Sequence, residues 1–86
     1  MDINQLINIM QKKIQDNINV TELKIEDKSF LHKKHKNYQE GKFHLKLTIK
    51  SNELSKINKI VATKKIYSIL DLELKDTIHS IQIIIN

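Results

Sequence analysis

Apolar residues recur at Ile3, Leu6/Ile7, Met10, Ile14 and Ile18, the spacing of one face of an α-helix, and so predict a helix over residues 2–18. Asp2 stands where an N-cap would, and Gln5 is placed as its reciprocal capping-box partner. Met10 is in phase with the isoleucines, which makes it a core residue rather than part of a binding stripe. The pattern then changes period. Residues 20–27 alternate, with Leu23 and Ile25 on one face and Lys24 and Glu26 on the other. Residues 43–50 alternate more cleanly: Phe43, Leu45, Leu47 and Ile49 face inward, and His44, Lys46, Thr48 and Lys50 face outward.

After this second strand, Ser51-Asn52 can cap a short turn carrying Leu54 and Ile57. Asn58 can cap a second helix with a stripe of Ile60, Thr63, Tyr67, Leu70 and Leu74, widened by Ile66 and Ile69. Asp76-Thr77 breaks it, and residues 78–85 are an isoleucine-rich strand. The order is helix–strand–strand–helix–strand, an α/β (α+β) domain with a three-stranded mixed sheet and two helices on one face. The second helix is a crossover, so the last strand should run parallel to the second. No repeat, linker or low-complexity stretch divides residues 1–86, which read as a single domain. The loop over residues 28–42 exceeds the usual hairpin length and holds the only glycine, Gly41. Within it, residues 29–42 offer few apolar anchors, so this segment is expected to be mobile in the free protein and ordered by a partner.

Composition removes several classes of function. There is no cysteine, so neither a disulfide framework nor a thiolate-held cluster can be built by this chain alone. The longest aliphatic run, Ile83-Ile84-Ile85, is far too short to cross a bilayer, and the start lacks a signal-peptide pattern. The expected compartment is the cytoplasm, and the free protein is expected to be a monomer. One glycine excludes a P-loop, a G-x-G-x-x-G turn and the G-x-x-G clamp used on RNA. No triad or paired-carboxylate arrangement is readable, so the chain reads as a non-enzyme.

Isoleucine, lysine and asparagine fill 39 positions, and every basic residue is a lysine. Such bias lowers the weight of any single lysine, but the placement of charge is uneven nonetheless. Residues 1–27 carry net −2, residues 28–70 net +9 and residues 71–86 net −2. A basic middle suggests an anionic partner or a solvated face. Four histidines supply the candidate chemistry: His32-x-x-His35 in the loop, His44 and His79. Strand parity sets His79 with Ile81, Ile83 and Ile85 toward the core, whereas its position two residues after Thr77 would leave its ring free. His44 faces solvent by periodicity, paired with a neighbouring strand.

These pieces together resemble the BolA-like family over nearly the whole chain. Asp27-Lys28-Ser29-Phe30-Leu31-His32-Lys33-Lys34-His35 is similar to the family's D-x-S-x-x-H-x-x-H segment, and Gly41-Lys42-Phe43-His44-Leu45 to its G-x-x-H-F strand entry. Leu47-Thr48-Ile49-Lys50-Ser51 resembles V-x-V-x-S, Lys65-Ile66-Tyr67-Ser68-Ile69-Leu70 resembles L-V-Y-x-x-L, and Ile78-His79-Ser80-Ile81 resembles V-H-A-L. Two features depart from the pattern. The R-H-R triplet at the head of the second helix is Ala62-Thr63-Lys64, and the tail with proline and tryptophan has no counterpart before Asn86.

The resemblance implies a class II KH-like fold and pairing with a monothiol glutaredoxin around a shared [2Fe–2S] cluster. It implies His79 as one ligand and His32, or second His35, as the other, with thiolates from the partner and glutathione. Lys33, Lys34 and Lys36 could attract glutathione carboxylates or an acidic partner face. A second implied role is transcriptional regulation through DNA, using the second helix and its preceding turn with Lys56, Lys59, Lys64 and Lys65. Without arginine and the triplet, such binding should be weak and poorly specific. A simple zinc site on His32, His35 and His44 is a third reading.

Overall fold

The computed structural model describes residues 2–29 and 42–86. Expectations for His32, His35, Lys33, Lys34 and Lys36, and for loop mobility, lie outside the described residues, apart from Ser29 and Lys42 at the loop's ends.

The elements are α1 (Ile3–Asn17), β1 (Glu22–Asp27), β2 (Phe43–Lys50), α2 (Asn52–Ser55), α3 (Lys59–Ile69), α4 (Asp71–Asp76) and β3 (Ile78–Ile85). The α1 start is the expected capping box. The Asp2 side chain accepts from the Gln5 N–H at 2.8 Å, and the Gln5 side chain accepts from the Asp2 N–H at 3.1 Å. Leu6, Met10 and Ile14 are fully buried, so the helix docks along the predicted stripe.

The sheet order is β1-β2-β3, with β1 antiparallel and β3 parallel to β2. This is the pairing required by a helical crossover between β2 and β3. Leu45, Leu47 and Ile49 of central β2 align with Ile81, Ile83 and Ile85 of β3; Leu47 and Ile49 pair across with Ile25 and Leu23 of β1. The helices cover this apolar face and close the core over it. Ser51 joins strand to helix: its buried hydroxyl donates to Asn19 O at 2.7 Å and accepts from the Leu54 N–H at 3.2 Å.

The second helix differs from its sequence reading in two respects. It is two helices, α3 and α4, breaking at Leu70, whose backbone leaves helical geometry. The buried stripe is also rotated. Ala62, Ile66 and Leu70 are fully buried, whereas Ile60 and Tyr67, assigned inward from sequence, are exposed. The helix carries apolar residues on two faces, so periodicity alone left its phase ambiguous. Packing against α1 selected the face with small Ala62, which permits a close helix approach.

Candidate functional site

The site is built where β2 and β3 begin. Asp27 ends β1, and its carboxylate accepts from the Ser29 N–H at 2.9 Å, a local turn that brings the Ser29 hydroxyl back to the sheet. That hydroxyl accepts the His44 N–H at 3.0 Å, while the Lys28 N–H donates to His44 O at 2.7 Å. The His44 backbone is therefore tied to the chain end that enters the loop.

On its other side β2 meets β3 through an irregularity. Phe43 aligns with Ile78 but His44 aligns with Ser80, so β3 advances two residues while β2 advances one. His79 is the extra residue. Such a bulge suspends strict alternation, and it leaves His79 exposed rather than inside with Ile81. The core reading of His79 is thereby overturned, because parity counted from Ile81 fails across the bulge. The alternative, a free ring at the head of the strand, is what the fold produces.

His44 departs from expectation as well. It lies on the outer face of β2, yet it is only 6% exposed. Its Nδ1 shares a 2.7 Å hydrogen bond with the Ser80 hydroxyl, and its ring meets the His79 ring edge-on, with centroids 4.7 Å apart and planes at 60°. Ser80 and His79 lie against the ring here, so outward does not mean solvated. Pairing with a neighbouring strand, also expected, is present as the Ser80 bond. The result is a buried, anchored imidazole supporting an exposed one. Edge-on aromatic contacts of this kind contribute about 0.5–1.5 kcal/mol.

Beside the pair lies an open depression of about 400 Å³ lined in part by Lys28, Lys46, Ser80 and Gln82. The Lys28 ammonium lies 3.3 Å and the Lys24 ammonium 3.7 Å from the same Glu26 oxygen. Burial raises the Glu26 carboxyl, but the Lys28 hydrogen bond and the charges of Lys24, Lys28 and Lys46 bring it below its ordinary value. Lys46 makes no ion pair among the described residues. The rim of the depression is thus cationic and suited to an anionic group.

Sequence reasoning missed Ser29 and Ser80. Both lie inside motifs already quoted, and the parallel register opposite His44 would have identified Ser80 had it been known. Of the three histidines in the zinc reading only His44 is among the described residues, with its Nδ1 bonded to the Ser80 hydroxyl. Among the described residues no three of His, Cys, Asp and Glu come together as a metal site.

The lysines assigned to DNA do not form one set. Lys56, Lys59 and Lys64 are exposed, but Lys65 is paired with Glu53 at 2.5 Å. That bond, with the Asn19 N–H donating to the other Glu53 oxygen at 3.2 Å, holds the Glu53 carboxyl below its ordinary 4.5. A carboxyl lowered on folding stabilises the fold above its ordinary value, and the contribution is lost as pH falls through the folded value. Thermal melts between roughly pH 5 and pH 3 should therefore show a smaller pH-dependent loss for Glu53→Gln than for the unaltered chain. Equal slopes would mean that the pair contributes nothing.

No helix among the described residues is long and apolar enough to cross a membrane. A family model described as BolA-like protein matches residues 14–86. Among solved structures, BolA1 from Arabidopsis thaliana is similar with 26% identity over 92% of this chain and 87% of that one, at a TM-score of 0.76. The BolA domain of SufE1 from Arabidopsis thaliana shares 23% identity over 100% and 93%, at 0.78. A bol-like protein from Babesia bovis shares the fold at 14% identity over 91% and 79%, at 0.70. No curated protein matches the chain.

Proposed function

Since the chain belongs to the BolA-like family, we propose that it is a non-enzymatic adaptor that pairs with a monothiol glutaredoxin around a shared [2Fe–2S] cluster, in cluster trafficking or iron sensing. The observation carrying this reading is the exposed His79 ring, freed by the bulge and backed by His44.

The donor set fits a shared group and not a self-contained one. The chain has no cysteine, and its described residues form no three-ligand cluster, so it can contribute imidazole while thiolates come from the partner and glutathione. When bound, such a cluster supplies iron that accepts an imidazole nitrogen in place of a thiolate, which raises its potential and makes binding pH-sensitive. His79 would hold the iron from the sheet end, and His44, bonded to Ser80, would limit the orientations open to the His79 ring. Lys28 and Lys46 give the adjoining depression a positive field that favours glutathione carboxylates. His32, or second His35, is the remaining ligand in this reading.

The test is spectroscopic. Adding the protein to cluster-loaded glutaredoxin and glutathione should change the visible absorption and circular dichroism. His79→Ala, confirmed folded by far-ultraviolet dichroism, should abolish the change. A mutant spectrum identical to that of the unaltered protein removes His79 as ligand, and no change with the unaltered protein removes the pairing itself.

A further inference from the structure

The large apolar side chains that stand exposed among the described residues are Ile57, Ile60, Val61, Tyr67 and Leu72, and all fall within sixteen consecutive residues of the α3–α4 region. Single exposed apolar residues scattered over a surface carry no message, but a cluster marks an interaction site. Ile60 is 66% and Leu72 62% exposed, so these side chains project and do not merely border the core. Ile60, Thr63, Lys64 and Tyr67 follow helical i, i+3, i+4, i+7 spacing. With Lys59 they line an open hollow of about 360 Å³.

The charges around this hollow have a second regularity. Lys65 and Lys75 are paired with Glu53 and Asp71, but Lys56, Lys59 and Lys64 have no ion-pair partner among the described residues. The apolar floor is thus bordered by two cations, Lys59 and Lys64, that have no ion-pair partner among the described residues. Nucleic acid is a poor occupant. It offers the isoleucines little to bury against, and the polar Asn58 side chain nearby is committed to capping the Ile60 N–H at 2.7 Å. A lipid surface is also disfavoured, because interfacial helices insert one continuous apolar face, and only Ile60 and Tyr67 of the hollow's lining are large and apolar. A protein segment with one apolar anchor and flanking carboxylates complements both floor and rim.

We propose that the outer face of α3 is a docking surface for an acidic segment of a partner protein, anchored by one aliphatic or aromatic side chain between Ile60 and Tyr67 and held by carboxylates at Lys59 and Lys64. The surface shares no residue with the His44–His79 site, so both can be occupied at once, and the proposal does not depend on cluster binding.

The probe is a short blocked peptide with a leucine–phenylalanine centre flanked by glutamates, titrated to millimolar concentration into the isotope-labelled full chain. Saturable amide shifts confined to residues 57–72 are expected, weakening as salt is added. Ile60→Ser and the double variant Lys59→Glu/Lys64→Glu should each raise the dissociation constant about tenfold or more. All three positions are exposed, so both variants should keep the dispersed spectrum of the folded chain. The proposal is overturned by absence of shifts, or by shifts indifferent to those variants or to alanine in place of the apolar centre. Tighter binding to duplex DNA or to phosphatidylglycerol vesicles than to the peptide also overturns it, in favour of that class of partner.

Discussion

Ile66→Ala is expected to lower the free energy of unfolding by about 3 kcal/mol, whereas Ile60→Ala on the same helix should change it by no more than about 0.5 kcal/mol. The two substitutions delete the same atoms, and only burial differs: Ile66 is fully enclosed and Ile60 is largely in water. At Ile66 the loss combines transfer free energy with a cavity between α3, α1 and the sheet that neighbouring side chains close only in part. At Ile60 no cavity forms, and the better helix propensity of alanine offsets the small area lost. A chain of this length has about 4–13 kcal/mol of stability in total, so the first variant should lose a large share of it. Urea denaturation followed by far-ultraviolet dichroism measures both. Comparable losses at the two positions would mean that α3 is rotated about its axis from the orientation described.

The second large effect is an asymmetry within one ion pair. Lys13 of α1 and Glu73 of α4 meet at 2.7 Å, with side chains 34% and 10% exposed. The remaining Glu73 oxygen has no hydrogen-bond partner among the described residues. Lys13→Ala therefore strands a buried carboxylate and is expected to cost about 2 kcal/mol, below the usual range for fully buried pairs because Lys13 is partly solvated. Glu73→Leu removes the buried charge, leaves an ammonium able to reach water, and should be neutral or mildly stabilising. Combining Glu73→Leu with Lys13→Ala should recover most of the single-mutant loss. Equal losses from the two single changes would instead identify a pair stabilising by direct attraction, with little desolvation cost.

Both predictions concern α3 and α4, the part of the fold least legible in the amino-acid sequence. Local rules served well where one pattern had no competitor. Asp2 and Gln5 signalled the α1 start, the Leu6–Met10–Ile14 stripe its buried face, and the alternation from Phe43 to Lys50 an eight-residue strand. The crossover between β2 and β3 dictates their parallel pairing. In α3 two apolar faces competed, and the stripe read from sequence mixed residues of both.

By itself the sequence determined the element order, the strand alternation, the absence of thiols and the motifs that mark the family. These depend on period, composition and neighbours a few residues apart. Only the tertiary structure decided which α3 face is buried, that Glu73 is covered by α1, and that His44 is enclosed although it points outward. It also decided that His79 is exposed although parity points it inward. Each of these depends on residues distant in the chain: Lys13 is 60 positions from Glu73, and Ser80 is 36 positions from His44. The bulge between Phe43 and His44 is a property of two strands in register, and one strand's pattern does not contain it.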